Sequence, residues 1–243
     1  MSDLDADAKL ARAVADAAGT LLLQIQRDGS DGARGDREAN QLILDMLSEA
    51  RPQDSILSEE SADDPARLAA SRVWIVDPLD GTREFAEGRE DWAVHVALAV
   101  NGDPAVGAVA LPRRGFTLSS DTPPALPPGV TPPRMLVSRT RPSDLCTAVS
   151  KAIPATTIAM GSAGAKAMAV VLGEAEIYLH SGGQHQWDNC APAAVAIAAG
   201  LHASRIDGTP LRYNEAGTSI PDLLICRREL AATVLELVAA SAR

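Results

Sequence analysis

One stretch, from Val73 to Glu84, constrains this chain more than any other, because two carboxylates, a hydroxyl and a helix start lie between Asp77 and Thr82. Its first four residues, Val-Trp-Ile-Val, form a short apolar run that is typical of a buried strand. Asp77 is therefore predicted to lie at the end of a strand. Pro78 has no backbone N–H and a fixed φ, so we expect the ladder to stop there and the chain to turn Asp80 back toward Asp77.

The oxygen atoms of this stretch are suited to binding a metal ion and a phosphate. The Leu79 carbonyl is left without an obvious backbone donor, and together with the carboxylates of Asp77 and Asp80 it would form the hard oxygen site that Mg²⁺ prefers. Gly81 and Thr82 are predicted to open the next helix. The N-terminal N–H groups of that helix could hold a phosphate oxygen.

Two other interpretations of the same residues stand beside the metal site. Asp-Gly-Thr is common in ordinary turns and helix caps. The phosphatases of the haloacid-dehalogenase type carry Asp-x-Asp-Gly-Thr, in which a nucleophilic Asp lies two residues before the second Asp. Here that position is Pro78, and Asp77 and Asp80 are three apart, so the spacing argues against this class.

Composition limits the classes of protein that remain. A chain of 243 residues, 46% of them hydrophobic, can form one large domain or two small ones. Its acidic start and its lack of an apolar run of about 18 residues predict a cytoplasmic protein that does not bind membranes. The net charge of −10 disfavours polymeric nucleic acid as a partner, although a small anion can still be held locally by metal ions. Three widely spaced cysteines, with no metal-ligand spacing, are predicted to be free thiols: Cys146, Cys190 and Cys226.

Further acids lie at the ends of predicted elements. Asp36 comes just before the second predicted helix and is either an N-cap or a functional carboxylate. Glu59 and Glu60 follow a predicted strand, residues 55–58, and are either solvated charges or neighbours of Asp77 at a shared sheet edge. Asp188 begins an Ala-rich helix that is predicted to run to Gly200, where it either complements the helix dipole or completes a metal site.

The apolar patterns predict an α+β first half and a layered α/β second half. The first half has a helix at 8–26, a second helix that is marked by Ala39 to Leu47 and ends before Pro52, and an antiparallel hairpin of 93–100 and 105–111 that includes His95 as a core histidine. The second half alternates strands at 135–137, 156–160 and 176–180 with helices at 143–153 and 163–172. Residues 123–133 are Pro-rich, so we expect halves at 1–122 and 134–243 joined by that connection. The Gly161 to Gly164 turn either faces an anion or simply packs tightly.

The motif Asp77-Pro-Leu-Asp80-Gly-Thr82 resembles the signature of the inositol monophosphatase superfamily, which are Mg²⁺-dependent, lithium-sensitive phosphatases. Four further pieces follow in that family's order: Gly35-Asp36, Leu57-Ser-Glu-Glu60, Gly161-Ser-Ala163 and Trp187-Asp188. The resemblance covers nearly the whole chain. It implies an αβαβα sandwich and, as in many relatives, a homodimer.

The resemblance also implies a set of metal ligands and a catalytic pair. Glu59, Asp77 and the Leu79 carbonyl would hold one Mg²⁺, and Asp77, Asp80 and Asp188 a second, with two or three ions in all. Thr82 and Asp36 would orient the attacking water. One departure is that Ala33-Arg34-Gly35 stands where the family usually has a Thr-rich approach to the Asp.

Within the superfamily, three segments are most similar to the CysQ type, the 3′-phosphoadenosine 5′-phosphate phosphatases: 83–85, 137–141 and 207–213. That substrate, and possible activity on its sulfated form, would require cations for a second phosphate, for which Arg139, Arg141, Lys166 and Arg212 are candidates. Tyr213 is an aromatic candidate for adenine. The predicted substrate-binding residues are Asp80, Gly81, Thr82, Ser138, Arg139, Ser162, Lys166, Asp188, Arg212 and Tyr213. The alternatives are hydrolysis of inositol 1-phosphate or fructose 1,6-bisphosphate, and a non-catalytic sensor of phosphorylated metabolites.

Overall fold

The computed structural model describes residues 3–241 and contains, within that range, two five-stranded sheets and seven α-helices. The strands of the first sheet lie side by side in chain order: β1 (Ser55–Ser58), β2 (Arg72–Asp80), β3 (Ala93–Val100), β4 (Asp103–Leu111) and β5 (Phe116–Ser119). β1 is parallel to β2, and the other neighbours are antiparallel. The predicted hairpin of β3 and β4 is therefore confirmed.

The second sheet has the spatial order β7-β6-β8-β10-β9. Its strands are β6 (Arg134–Ser138), β7 (Thr156–Met160), β8 (Ile177–His185), β9 (His202–Ser204) and β10 (Ser219–Cys226). β6 is parallel to β7 and β8, whereas β10 is antiparallel to β8 and β9. The helices are α1 (Asp3–Arg27), α2 (Gly32–Ala50), α3 (Thr82–Ala86), α4 (Asp144–Ala152), α5 (Ala163–Val171), α6 (Gln186–Ala198) and α7 (Arg228–Ser241).

These elements stack in five layers. The two faces of β3 illustrate why: Val94 and Val96 pack with α1 and α2, whereas Ala93 and Ala97 pack with α5 and α6. A strand that is apolar on both faces must be covered on both sides. The second sheet is likewise covered by α5 and α6 on one face and by α4 and α7 on the other. The order is thus α1/α2, first sheet, α5/α6, second sheet, α4/α7, which is the predicted αβαβα sandwich.

Two local predictions differ from the structure. β2 does not stop before Pro78 but continues to Asp80. α2 begins at Gly32, so Asp36 lies inside the helix rather than before it. The segment after Gly200, which the sequence patterns leave unassigned, contains β9, β10 and α7. Among the described helices, none has both the length and the apolar character needed to cross a membrane.

Candidate active site

A bulge in β2 brings Asp77 and Asp80 to one face of the sheet. Asp77 pairs with His95 of β3 and Asp80 pairs with Ala93, so three steps along β2 oppose two steps along β3. In a regular strand, side chains three residues apart point to opposite faces of the sheet. One extra residue in a bulge makes them point to the same face. Bulges also tolerate proline, because the extra residue needs no ladder hydrogen bond. Pro78 therefore creates the bulge instead of ending the strand.

Asp188 approaches these two carboxylates from the second half. It lies in the first turn of α6, directly after β8, and its Oδ2 accepts a hydrogen bond of 2.5 Å from the backbone N–H of His185. Carboxylate oxygens of Asp77, Asp80 and Asp188 all lie within 4.8 Å of one another. The structure therefore gathers three of the predicted metal ligands.

Asp77 and Asp188 are crowded by the other carboxylates of the cluster. Burial raises the pKa of Asp77 well above its usual range, and the nearby carboxylates of Glu59, Asp80 and Asp188 raise it further. Burial followed by repulsion from Asp80 raises the pKa of Asp188 to about 6. The Leu79 N–H donates a hydrogen bond to Asp77 Oδ1 at 3.0 Å. Crowded, buried carboxylates with oxygen ligands alone fit a hard divalent cation such as Mg²⁺.

Asp80 differs from Asp77 in being surrounded by donors. Its Oδ2 accepts the Ser162 hydroxyl at 2.5 Å and the Gly164 N–H at 2.6 Å, and its Oδ1 accepts the Ala163 N–H at 3.1 Å. Burial alone would raise the pKa of Asp80, but His95 and these donors hold it below the usual range. Since all three donors belong to the turn before α5 or its first residues, Asp80 also joins the first half to the second.

Glu59 reaches the cluster from β1, as expected for parallel neighbouring strands. Ser58 pairs with Val76, and the Glu59 N–H donates to the Val76 carbonyl at 3.3 Å, so Glu59 is level with Asp77. The two side chains are close enough to share a hydrogen bond. Glu59 is partly open to solvent, and its partial desolvation, followed by repulsion from Asp188, Asp80 and Glu60, outweighs that bond and raises the pKa of Glu59 to about 7.

Asp36 is not a helix cap. The N-cap of α2 is Asp31, whose side chain accepts the Arg34 N–H. α2 packs closely against the β2 motif at two glycines. A Cβ at Gly32 would lie 2.7 Å from the Thr82 Cγ2, and one at Gly35 would lie 3.2 Å from the Leu79 side chain. The two glycines therefore permit this close approach inside a helix, although from sequence alone they are typical of a loop.

The predicted pair of Asp36 and Thr82 lies together. Burial and the charge of Glu60 raise the pKa of Asp36 to about 7. A hydrogen bond with the Thr82 side chain acts in the opposite direction but is outweighed. The Thr82 hydroxyl also lies 3.2 Å from the Leu79 carbonyl, and its single proton can be donated either to that carbonyl or to Asp36. This contact comes from a side chain, so it does not contradict the expectation that the carbonyl has no backbone donor, and the carbonyl keeps a lone pair for a metal ion.

A cavity of about 310 Å³ opens above the acids, between the two halves. The first half contributes Asp80, Gly81 and Thr82. From the second half come Asp188 and the other predicted substrate residues that line this cavity, which are Ser138, Arg139, Ser162 and Lys166. Arg141 lines it as well.

Arg212 and Tyr213 lie elsewhere. Arg212 is exposed and pairs with Asp103 at the β3–β4 turn, with 2.5 Å between Nη1 and Oδ1. Tyr213 is buried, and its hydroxyl donates to Asn189 at 2.9 Å. The Tyr213 N–H donates a hydrogen bond to the Gly102 carbonyl in the same turn. The segment that contains both residues therefore packs on the β3–β4 hairpin and not at the cavity. Neither residue can contact a substrate bound next to the acids.

Two of the cations in the cavity wall are already occupied. Arg139 Nη2 lies 2.7 Å from Glu84 Oε1 and 2.9 Å from Glu87 Oε2. Lys166 is buried, and its Nζ donates to the carbonyls of Gly161 at 2.9 Å and Ser162 at 2.6 Å. Arg141 is exposed at the rim, and its backbone N–H bonds the Ser138 hydroxyl.

Sequence reasoning missed three side chains that support this site. Glu84 holds Arg139, and Asp91 accepts the Gly161 N–H at 2.7 Å. His95, predicted to be an ordinary core histidine, lies with its Nε2 3.2 Å from Asp80 Oδ2. The pairing of His95 with Asp77 across the β2–β3 ladder was the available signal, and it required the register of the two strands.

Comparisons with known proteins agree with this architecture. The chain is 50% identical over 240 residues to the 3′-phosphoadenosine 5′-phosphate phosphatase of Mycobacterium bovis, covering 91% of this chain and 89% of that protein. It is 32% identical over 232 residues to the 3′(2′),5′-bisphosphate nucleotidase CysQ of Escherichia coli, covering 86% and 93%.

Solved structures share the fold. Inositol monophosphatase from Anabaena superposes with a TM-score of 0.81 at 21% identity, covering 98% of this chain and 97% of that one. CysQ from Bacteroides thetaiotaomicron superposes with a TM-score of 0.79 at 24% identity, covering 92% and 97%. The model of the inositol monophosphatase family matches residues 4–121 and 134–242. The acid cluster thus lies in a chain that belongs to the inositol monophosphatase family.

Proposed function

We propose that this protein is a Mg²⁺-dependent phosphomonoesterase that removes the 3′-phosphate of 3′-phosphoadenosine 5′-phosphate. The observation that carries the proposal is the group of crowded, buried carboxylates next to a cavity that is also lined by Arg139, Arg141 and Lys166. The 50% identity to a protein named for this activity supports the choice of substrate. The sulfated form of the nucleotide is a second substrate in the same proposal.

The metal ligands in this proposal are the oxygens gathered around β2. Glu59, Asp77 and the Leu79 carbonyl would hold one ion, and Asp77, Asp80 and Asp188 would hold another, with two or three Mg²⁺ in total. When bound, the metal supplies positive charge that stabilises the phosphoryl group and the departing oxygen. Asp77 belongs to both ligand sets, which agrees with its being the most repelled carboxylate of the cluster.

The catalytic pair is Asp36 and Thr82. The Thr82 hydroxyl orients the attacking water, and the Asp36 carboxylate is placed to accept a proton, since its pKa of about 7 suits a general base near neutral pH. No residue needs to form a covalent bond with phosphate. The water then attacks in line with the leaving 3′-oxygen.

The second phosphate of the substrate requires a cation away from the acids. The charge of Arg139 is partly balanced by Glu84 and Glu87, and two of the Lys166 donors are occupied by backbone carbonyls. Arg141 is exposed at the rim of the same cavity. We therefore assign the 5′-phosphate to Arg141, with Arg139 and Ser138 beside it, and leave Arg212 and Tyr213 out. A guanidinium also stacks on a purine, which offers the adenine a partner at the same rim.

In this proposal the two halves, 1–122 and 134–243, act as domains that meet at the cavity. The first half supplies the catalytic pair and most metal ligands, and the second supplies Asp188 and the phosphate-binding cations. A small-molecule partner fits a cavity of about 310 Å³ better than a polymer does. The cytoplasmic location and the homodimer stay predictions.

Phosphate release tests the proposal. The purified protein is assayed with 3′-phosphoadenosine 5′-phosphate, its sulfated form, inositol 1-phosphate and fructose 1,6-bisphosphate, with and without Mg²⁺. We expect kcat/KM for the bisphosphate nucleotide to exceed that for inositol 1-phosphate by at least about tenfold, which requires about 1.4 kcal/mol of differential transition-state binding. We also expect inhibition by Li⁺.

The possible outcomes separate the alternatives. Comparable efficiency on the nucleotide and on inositol 1-phosphate would contradict the substrate and leave a broad phosphatase. Full turnover after exhaustive chelation would contradict the metal dependence. Tight binding of the nucleotide without release of phosphate would favour a sensor.

A further inference from the structure

His95 stands out among the residues that the reaction above does not use. It lies in the middle of β3 and is fully buried, with 0% exposure. Its neighbours on the same face of the strand, Ala93, Ala97 and Ala99, pack with α5 and α6. A large polar ring thus occupies a position on a face that is otherwise lined by alanine.

Both ring nitrogens of His95 face oxygen atoms of the site. Nδ1 lies 2.9 Å from the Trp187 carbonyl, and Nε2 lies 3.2 Å from Asp80 Oδ2. The Trp187 carbonyl belongs to the peptide unit that leads into Asp188. One imidazole therefore contacts one acid of the cluster directly and the backbone of another.

The neighbouring helix makes room for this ring. A Cβ at Gly164 would lie 2.0 Å from His95 Nε2, which no side chain can occupy. Gly164 is in the first turn of α5 and has no positive φ, so the helix geometry does not require glycine there, and glycine weakens a helix. The space for the imidazole explains this glycine. The Gly164 N–H also donates to the same Asp80 oxygen that His95 approaches.

We propose that His95 is a positioning residue that holds Asp80 and the start of α6 in the arrangement that binds Mg²⁺. The proposal rests on the proposed function only in taking Asp80 and Asp188 as metal ligands. Carboxylates that are free to rotate must lose that freedom when a metal binds, whereas carboxylates that are already held bind more tightly. Removing such a supporting partner typically lowers metal affinity by about 10- to 100-fold.

Mg²⁺ binding to the full chain, measured by calorimetry without substrate, tests this role apart from catalysis. His95→Leu fills most of the space but offers no polar atom, and His95→Gln retains one amide donor. We expect His95→Leu to weaken Mg²⁺ binding by at least about tenfold and His95→Gln to weaken it less. His202→Leu is the matched control, because His202 contacts Ser204 at the edge of the second sheet and not the acids. It should leave Mg²⁺ affinity unchanged.

A double variant separates positioning from packing. In His95→Ala with Gly164→Ala, the new methyl at 164 enters the space that the ring leaves, so the melting temperature of the metal-free protein should recover relative to His95→Ala alone. Mg²⁺ affinity should stay low in the double variant. A merely structural histidine would instead show affinity that recovers together with the melting temperature, and this result would overturn the proposal.

Three further results would also decide the matter. Mg²⁺ affinity within about twofold of the unchanged protein in folded His95→Leu overturns the positioning role. Lack of Mg²⁺ binding by the unchanged protein overturns both this inference and the proposed function. Normal Mg²⁺ binding without phosphate release overturns the proposed function alone. The Mg²⁺ affinities of the His95 variants then still decide whether His95 is a positioning residue.

Discussion

The two walls of the cavity differ in how their charges are satisfied. The acidic wall is formed by Asp80 of β2 and Asp188 of α6, next to the buried Asp77, which is surrounded mainly by other carboxylates. The basic wall is built on the end of β6 and the residues that follow it, where Arg139 is half-buried and already paired with Glu84 and Glu87. The acids around Asp77 mainly face one another, although Asp80 is paired with His95, whereas the basic wall carries its counterions within the protein.

This difference assigns separate tasks to the two walls. A crowded cluster of carboxylates is stabilised when a cation binds, so the acidic wall is specialised for metal ions. A paired arginine must exchange one carboxylate partner for a phosphate, so the net gain is small and depends on the substrate. We expect substitutions in the acidic wall to change the rate by orders of magnitude and those in the basic wall to change selectivity by smaller factors.

The largest effect is expected for Asp77→Asn. The change removes a charge that both ligand sets of the proposed site use, and the lost transition-state stabilisation, about 4 kcal/mol, lowers kcat by about a thousandfold or more. The same change removes buried repulsion, so the metal-free protein should melt at a higher temperature than the unchanged one. Calorimetry without metal and phosphate release with Mg²⁺ measure the two effects.

Glu60→Gln is the control for Asp77→Asn. Glu60 is an exposed acid beside Glu59, and it has no place in the proposed ligand sets. We expect its loss to change kcat far less than that of Asp77. Equal losses in the two variants would show that the acidic wall acts through its total charge and not through particular ligands.

The second effect concerns Thr82. Thr82→Ala removes the hydroxyl that contacts Asp36 and the Leu79 carbonyl, and we expect kcat to fall by about 100-fold while Mg²⁺ affinity changes little. Thr82→Ser keeps the hydroxyl and should retain most of the rate. A parallel loss of Mg²⁺ affinity in Thr82→Ala would move Thr82 from the water to the metal site.

The third effect tests the basic wall. Arg141→Gln should lower kcat/KM for 3′-phosphoadenosine 5′-phosphate by about tenfold, which corresponds to one charge-assisted hydrogen bond, and should leave inositol 1-phosphate hydrolysis nearly unchanged. Arg212→Gln makes the same change of charge at the β3–β4 turn, away from the cavity, and should have no effect on either substrate. Equal effects of the two substitutions would mean that only the net charge of the protein matters.

The closeness of Glu59 to Asp77 could be predicted from strand topology, whereas the approach of Asp188 was implied only by the family resemblance. Parallel strands end at one edge of a sheet, so the acids after β1 and in β2 had to approach each other once the two strands were neighbours. The bulge in β2 could not be predicted from the sequence, because Pro78 is as typical of the end of a strand as of a bulge. Likewise, Gly32 and Gly35 are typical of a loop until the side chains that pack against them are known.

The basic wall was predicted only in part, because its residues come together through tertiary packing. An arginine and a tyrosine are residue types that often bind phosphate and adenine, so Arg212 and Tyr213 were candidates from sequence. In the structure, their segment forms hydrogen bonds with the β3–β4 turn instead. The pairing of Arg139 with Glu84 joins residues 55 positions apart on different halves. No periodicity or spacing reports such a contact. His95 was missed for the same reason, since its role depends on Asp80 and on the space above Gly164.

The smallest predicted effect asks whether the carboxylates of the basic wall compete with the substrate. Glu87 is 44% exposed and shares Arg139 with Glu84, and an exposed ion pair of this kind contributes about 1 kcal/mol or less. Glu87→Gln should therefore free part of the Arg139 charge and lower KM for 3′-phosphoadenosine 5′-phosphate by about twofold, with kcat unchanged. Glu90→Gln is the matched control and should leave KM unchanged. Glu90 is an exposed acid that lies 3.7 Å from Arg113. Because screening weakens surface pairs, the difference between the two variants should shrink as salt is raised from about 0.05 M to 0.5 M. If Glu87→Gln instead raises KM, then Glu87 holds Arg139 in its binding position, and the carboxylates of the basic wall orient its cations rather than compete with the substrate.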